Sequence, residues 1–312
     1  MAPVIDVIVV NYNAGEALLR CIRSVLGQEL PAGVSLGLTL VDNASTDGSA
    51  DRAGRAFGGR PDFRLLRRPD NPGFATAVNR ALQALGKTQQ PAAETDRLLI
   101  LNPDCELAPG ALAALFRALQ DDPAAGLAGP LVTDAAGRPQ RGTLRRFPDP
   151  WNSFVTFSGL WRLGGRWPRF RGVEMSDALP AATTPAEAVS GAYMLLRTSA
   201  FLESGCMDER YGLHCEDLDL MFRLKQGGRH CLFVPEARVV HLQGLSSASR
   251  PFWVHWQKHR GMQRFFRKFQ ARRYPWPLRL AVVAGIWLRY AATLPIVLLR
   301  CFSRRPARVR PG

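Results

Sequence analysis

The chain predicts an α/β fold with a mostly parallel central sheet, followed by a helical tail. Three observations predict it. Apolar, β-branched runs of strand length alternate with helix-period segments through the first half. Polar and acidic residues cluster just past the ends of those runs. Excess positive charge is confined to one end of the chain.

Residues 4–10 are apolar apart from Asp6, as in a parallel strand covered on both faces. Residues 15–28 place Leu18, Leu19, Ile22, Val25 and Leu26 at helical spacing. Strand 36–41 and helix 46–57 follow, then strand 63–67 and a helix over 73–85 with Phe74, Val78, Ala81, Leu82 and Leu85 on one side. A fourth strand spans 97–101 and another helix 109–119. Residues 89–95 read as a surface loop. Residues 138–173 mix Arg, Trp, Phe, Gly and Pro and read as an excursion over one side of the domain. Strand character returns at 186–196 and 229–240, flanking a helix over 216–227. No internal repeat is present.

The 312 residues suffice for one large domain or two small ones, and 46% hydrophobic with 21% charged residues is a globular composition. The net charge is +15. Residues 251–312 hold fourteen Lys or Arg and no acid, which leaves 27 basic against 26 acidic residues in 1–250. The body is nearly neutral and the tail is cationic. Six cysteines show no CxxC or other metal-type spacing, so a reducing cytosol is expected. The N-terminus runs directly into a strand without a signal-peptide pattern.

Ligands of open α/β sheets bind beyond the carboxyl ends of strands. Asn11, Tyr12 and Asn13 lie there after the first strand, and Asp42 after the second. Asp42 and Asn43 are equally able to form a turn and cap a helix. In Asn71-Pro72-Gly73-Phe74-Ala75-Thr76-Ala77-Val78-Asn79, Gly73 permits close backbone approach at a helix start. Capping by Asn71 explains Gly73 without a ligand but leaves polar Asn79 unexplained. Asn102-Pro103-Asp104-Cys105-Glu106 sets a carboxylate just past the fourth strand, and Glu216-Asp217-Leu218-Asp219 opens a helix with three acids. Acids in a first turn also compensate the helix dipole. Ser190, Gly191 and Ala192 offer small side chains beside an approaching sugar, or simply strand packing. His241 follows the last strand as a metal ligand or as an ordinary satisfied histidine. A site that receives a nucleotide diphosphate, holds a divalent metal and deprotonates a hydroxyl needs this set. No G-x-S-x-G elbow and no dinucleotide G-x-G-x-x-G fingerprint is present, which disfavours a serine hydrolase and an NAD enzyme.

In order and context these motifs resemble an inverting family 2 glycosyltransferase of the GT-A fold, nearest to its bacterial rhamnosyltransferase-like members, over about residues 4–247. The resemblance implies one Rossmann-like nucleotide-diphospho-sugar transferase domain over 1–250. Its nucleotide-sugar half would be 1–130 and its acceptor and catalytic half 131–250. It implies that Asn11, Tyr12, Asn13, Asp42, Asn71, Gly73, Asn79, Asn102 and Asp104 bind the nucleotide-sugar, and that Ser190, Gly191 and Ala192 lie on the acceptor side. Asp104 with His241 would hold Mg²⁺ or Mn²⁺. Asn102 replaces the first aspartate of the family's D-x-D, a known N-P-D variant that leaves the diphosphate to supply more of the coordination. Asp217 would be the catalytic base, with Glu216 orienting the acceptor or serving as the alternative base. The implied reaction moves a sugar, rhamnose by this resemblance, from a nucleotide-diphosphate donor to a saccharide or lipid-linked saccharide in cell-surface polysaccharide synthesis. The competing readings are a nucleotidyltransferase, which lacks its basic Gly-rich loop at residues 10–16, and a membrane-recruited scaffold with a degenerate domain. Asn102 motivates the scaffold; intact Asp104, Glu216 and Asp217 oppose it.

Residues 253–273 read as a helix with aromatic residues among seven Lys or Arg, while 278–302 is apolar with Arg289 near its middle. A spanning helix needs ~20 apolar residues, and a central arginine costs roughly 2.5–3.5 kcal/mol on insertion scales. The expectation is an in-plane or re-entrant element on an anionic membrane, placing the protein peripherally on the cytoplasmic face of a bacterial inner membrane. Packing of the apolar segment on the domain is the alternative. No nucleic-acid module accompanies the charge, and His255 and His259 read as surface residues.

Overall fold

Alternate residues of β1 (Val4–Asn11) feed two separate cores. Val7 and Val9 pack with Leu18 and Ile22 of α1 (Ala17–Leu26), whereas Ile8 and Val10 pack with Val78 and Leu82 on the other face. A strand covered on both sides is therefore apolar at nearly every position. Asp6, the exception, forms an ion pair with Lys87 at 3.2 Å. The computed structural model describes residues 3–88, 96–175, 179–242 and 250–303, with side chains to residue 299. The expected loop at 89–95 lies outside these residues.

The chain continues through β2 (Ser35–Asn43), α2 (Ser49–Phe57), β3 (Phe63–Arg68), α3 (Phe74–Ala84), β4 (Arg97–Leu101), β5 (Cys105–Leu107), α4 (Ala111–Asp121) and β6 (Ala125–Thr133). Then come β7 (Leu144–Arg145), α5 (Pro150–Ser158), β8 (Thr184–Ala186), β9 (Ala188–Val189), β10 (Tyr193–Arg197), α6 (Thr198–Glu203), α7 (Glu216–Gln226), β11 (His230–His241), α8 (Pro251–Phe265) and α9 (Trp276–Ser303). Among the described residues the main sheet has nine strands, ordered β3-β2-β1-β4-β10-β6-β11-β5, with β8 also on β11. β3, β2, β1, β4, β6 and β11 run one way, and β10, β5 and β8 oppose them. The result is one α/β domain with a largely parallel sheet.

Three local differences from expectation have physical causes. Helix α2 starts at Ser49 rather than residue 46, because the Thr46 amide donates to Asn13 Oδ1 and Asp47 caps Ser49. The expected strand 186–196 is broken between β9 and β10 at Ser190, Gly191 and Ala192. Strand β6 carries two glycines and a proline, a poor strand signature. A Cβ on its Gly129 would lie 2.5 Å from a Val189 methyl, so small residues let β9 approach.

The basic helix docks on the domain. Phe265 and Phe266 are buried, and Phe265 meets Phe222 of α7 edge-on at 5.6 Å between centroids. Lys268 pairs with Asp208 at 2.8 Å and Asp219 at 2.6 Å, and Arg264 pairs with Asp208 at 2.8 Å. His259, read from sequence as a surface residue, is fully buried between α8 and α9, where Arg289 donates to it. Helix α9 packs on α8 through Trp256, Trp287 and Tyr290. Its segment Trp276–Leu299 is long and apolar enough to cross a membrane and is otherwise exposed, consistent with peripheral membrane association. Arg289 does not point outward from this helix; it turns back over the Phe157 ring at 3.9 Å.

Candidate active site

Parallel register brings the strand ends together. Asn11 lies opposite Asp42 across β1 and β2, and the Asn11 amide donates to Asp42 Oδ1 (2.8 Å), Ser45 Oγ (3.0 Å) and Ser49 Oγ (2.9 Å). Asp42 also accepts from the Ser45 amide. Asn13, in the left-handed region at φ 52°, bonds to the same loop. Asn11, Asn13 and Asp42 thus brace the loops beneath the site, while Tyr12 and Asn43 reach the cavity. Asn43 was read from sequence only as part of a turn.

Asn71 and Gly73 line the same cavity. Gly73 has φ 97°, and a Cβ there would stand 3.0 Å from the Gly212 carbonyl, so both conformation and space select glycine. Asn79 faces elsewhere. Its amide accepts from Met207 N (3.0 Å) and donates to Met207 O and Glu209 (2.9 Å each), fastening the 207–209 loop to α3. That role explains the polar residue without a ligand.

Past β4, the Asn102 amide N–H is tied to the Ala192 carbonyl. Asp104, buried, lies 3.1 Å from His241 Nε2, and Asn102 Nδ2 is 3.5 Å from the same nitrogen. His241 Nδ1 is 3.2 Å from Gln140 Oε1, whose own amide nitrogen donates to the His241 carbonyl. Nδ1 therefore carries a proton toward Gln140, leaving the Nε2 lone pair toward the Asp104 carboxylate. Two acceptors facing each other suit a shared divalent cation. Cys105 Sγ completes a cluster with them, but burial, then the Asp104 charge, pushes its thiol well up. It remains a neutral thiol directed at the Ala192 carbonyl. Glu106 points outward to Arg20.

Elsewhere along the same cavity, His214 and Cys215 both adopt left-handed φ and turn the chain into α7. Asp217 Oδ1 accepts from the Leu218 amide, and Oδ2 faces Arg145 of β7 at 2.5 Å. Burial alone would raise the Asp217 carboxyl, but Arg145 outweighs it and holds the group below the usual aspartate range. Burial, followed by the Asp217 charge, pushes Glu216 up to about 8. Adjacent carboxyls are thus split into an ionised and a protonated one. Gly191 closes against Asp217: a Cβ there would lie 2.5 Å from Oδ2. Ser190 and Ala192 line the cavity beside it. Sequence reading missed Arg145, which sits in no motif and reaches Asp217 only through the pairing of β7 with β9.

Asp104, His241, Glu216, Asp217, Asn43 and Gly73 all line one cavity of about 1670 Å³ at the strand ends. An α/β sheet whose strand-end cavity holds both a metal-suited carboxylate–histidine pair and an ionised carboxylate is the arrangement of a metal-assisted transfer or hydrolysis site. Residues 6–178 match the family described as glycosyl transferase family 2. The chain is 35% identical over 257 residues to the N-acetylglucosaminyl-diphospho-decaprenol L-rhamnosyltransferase of Mycobacterium tuberculosis, covering 80% of each chain. It is 26% identical over 169 residues to a rhamnosyltransferase of Escherichia coli K12, covering 54% of this chain and 60% of that protein. The fold is similar to that of a mannosyltransferase from Pyrobaculum calidifontis solved with GDP-Man and Mn²⁺. The TM-score is 0.57 at 19% identity, covering 98% of this chain and 77% of that one. The chain belongs to glycosyl transferase family 2, related to bacterial rhamnosyltransferases. It is a metal-dependent glycosyltransferase that uses a nucleotide-sugar donor.

Proposed function

We propose that this chain transfers rhamnose from dTDP-rhamnose, with inversion, to a hydroxyl of a lipid-linked saccharide at the cytoplasmic face of a bacterial inner membrane. The observation that carries the reading is an ionised carboxylate, Asp217, held by Arg145 in the cavity that also contains the Asp104–His241 pair. Single-displacement inversion needs one base on the acceptor side, and Asp217 is poised to take the acceptor hydroxyl proton. Glu216, protonated, orients the acceptor by donating a hydrogen bond. Tyr12, Asn43, Asn71, Gly73 and Asn102 receive the donor, with Asn11, Asn13 and Asp42 holding their loops. Ser190, Gly191 and Ala192 leave room for the acceptor. Asp104 and His241 would hold Mg²⁺ or Mn²⁺, which neutralises charge on the departing nucleotide diphosphate. Rhamnose is favoured because the Mycobacterium and Escherichia relatives are described as rhamnosyltransferases. Residues 1–250 supply the catalytic domain, divided near 130, and 251–312 the membrane-associating part. The exposed apolar surface of Trp276–Leu299 and the sequence's excess of Lys and Arg over 251–312 suit an anionic lipid surface.

The test is a nucleotide-sugar panel with and without Mn²⁺, read by thermal shift and by transfer to a lipid-linked saccharide, with product anomeric configuration determined by NMR. A metal-dependent response to dTDP-rhamnose and an inverted product are expected. Asp217→Asn should abolish transfer and keep donor binding. Retention of configuration, or loss of donor binding in Asp217→Asn, would sink the assignment of Asp217.

A further inference from the structure

The catalytic cavity does not stop at the sheet. It continues along α9, where Leu278, Ala281, Val282, Gly285 and Ile286 line it, and at the junction stand Lys258 of α8 and Arg289 of α9. Charges around the cavity are unevenly matched. Arg145 pairs with Asp217 and Arg141 with Glu174. Lys258 and Arg289 have no carboxylate partner among the described residues. Arg289 is fixed by the Phe157 ring at 3.9 Å and by donation to His259 Nε2 at 3.1 Å, contacts that leave its charge unbalanced. His259 adds no charge of its own, because burial holds that imidazole down to about 4 and therefore neutral. Lys258 makes no hydrogen bond among the described residues. Burial, then the Arg289 charge, depresses its ammonium. Lys258 lines the same cavity as His214, in the loop that delivers Asp217, and acts on it electrostatically. Two cations without an ion-pair partner stand in a half-buried wall, and the Glu174 carboxylate that acts on Lys258 is already paired with Arg141, so an anion would relieve their electrostatic cost.

We infer that Lys258 and Arg289 hold the diphosphate of the acceptor, a saccharide joined through that diphosphate to an isoprenoid chain, with the chain along the α9 trough and the sugar at Asp217. This rests on the transferase reading above and assigns the acceptor its own anion site, apart from the donor diphosphate at Asp104 and His241. Charge complementarity argues for this occupant. A cationic junction between a polar chamber and an apolar trough fits a ligand that is polar, anionic and apolar in that order.

Full-length protein is titrated with farnesyl diphosphate, farnesol and inorganic pyrophosphate, followed by tryptophan fluorescence, and separately with dTDP plus Mn²⁺. Farnesyl diphosphate should bind at least tenfold more tightly than either farnesol or pyrophosphate. Lys258→Gln should weaken it tenfold or more and Lys258→Arg should restore it, with dTDP affinity unchanged in both. Arg289→Gln provides a second variant, its fold checked by thermal melting. Unchanged farnesyl diphosphate binding in Lys258→Gln overturns the inference. So does parallel loss of farnesyl diphosphate and dTDP binding in Asp104→Asn, since the lipid would then occupy the donor site. Displacement by phosphatidylglycerol vesicles with the same Lys258 dependence makes bulk phospholipid the occupant and also overturns it. A folded wild type that binds dTDP but not farnesyl diphosphate removes the inference alone. A folded wild type that binds neither dTDP, UDP nor GDP removes the underlying transferase reading as well.

Discussion

Arg145 Nη2 stands 2.5 Å from Asp217 Oδ2, joining a two-residue strand to the first turn of a helix 72 positions later. The same guanidinium donates to the Val189 carbonyl, which anchors it to β9. Asp217 is therefore both oriented and kept ionised by one residue outside every motif. Arg145→Gln should lower transfer 10- to 100-fold, about 1.4–2.7 kcal/mol in the barrier. It should also move the acid limb of the kcat profile to higher pH, as the Asp217 carboxyl rises toward its ordinary value. An unshifted limb would mean that Arg145 serves packing alone.

Glu216 ties stability to pH. Its carboxyl is raised from the ordinary glutamate value to about 8, so between those values the native state binds a proton that the unfolded state does not. Stability from this group is complete below about 4.5 and is lost as pH rises through 8. Thermal melts should show the wild type losing stability across that window and Glu216→Gln losing less. Parallel curves for the two proteins would refute the assignment.

Gly191 is selected by the carboxylate beside it. A Cβ would stand 2.5 Å from Asp217 Oδ2 and 2.6 Å from its Cβ, so Gly191→Ala must displace the side chain or the loop. We expect at least a 100-fold fall in kcat, with a stability loss of only about 1–3 kcal/mol. Near-normal kcat would show that the loop gives way freely.

The Asp104–His241 pair should govern metal dependence. Asp104→Asn and His241→Ala are each expected to raise the Mn²⁺ concentration needed for half-maximal donor binding at least tenfold. Donor binding in EDTA should be weak and equal in wild type and variants. Calorimetry with and without chelator measures both.

Lys268 tests whether the basic segment belongs to the fold. It neutralises Asp219, whose side chain is fully buried and whose other partner is Arg223. Breaking a buried pair costs about 3–5 kcal/mol, and the partial exposure of Lys268 and the remaining Arg223 reduce that here. Lys268→Met should cost about 2 kcal/mol in urea unfolding, whereas Arg272→Met, at an exposed position without an ion pair among the described residues, should cost almost nothing.

Much of the molecule was legible beforehand. The continuous apolar runs and helical patterns of residues 4–119 locate β1 to β4 and α1 to α4 within a few residues. Asp104 and Asp217 announce themselves because each directly follows or opens a recognisable element. Less legible were β6, hidden by its small residues, and the supporting side chains. Asn79 seemed to need a ligand until Met207 and Glu209 supplied its partners.

By itself the sequence determined the α/β alternation, the strand-end placement of the polar motifs and the segregation of charge into the last sixty residues. Each of these is a short-range property, set by periodicity and composition. Only the tertiary structure decided that Arg145 meets Asp217, that Gly191 must lack a side chain, that Lys268 points inward and that His259 and Arg289 face each other across two helices. Those relations depend on pairing and packing between segments far apart in the chain. Burial and neighbouring charge, which set the ionisation of Asp217 and Glu216, exist only once those segments have met.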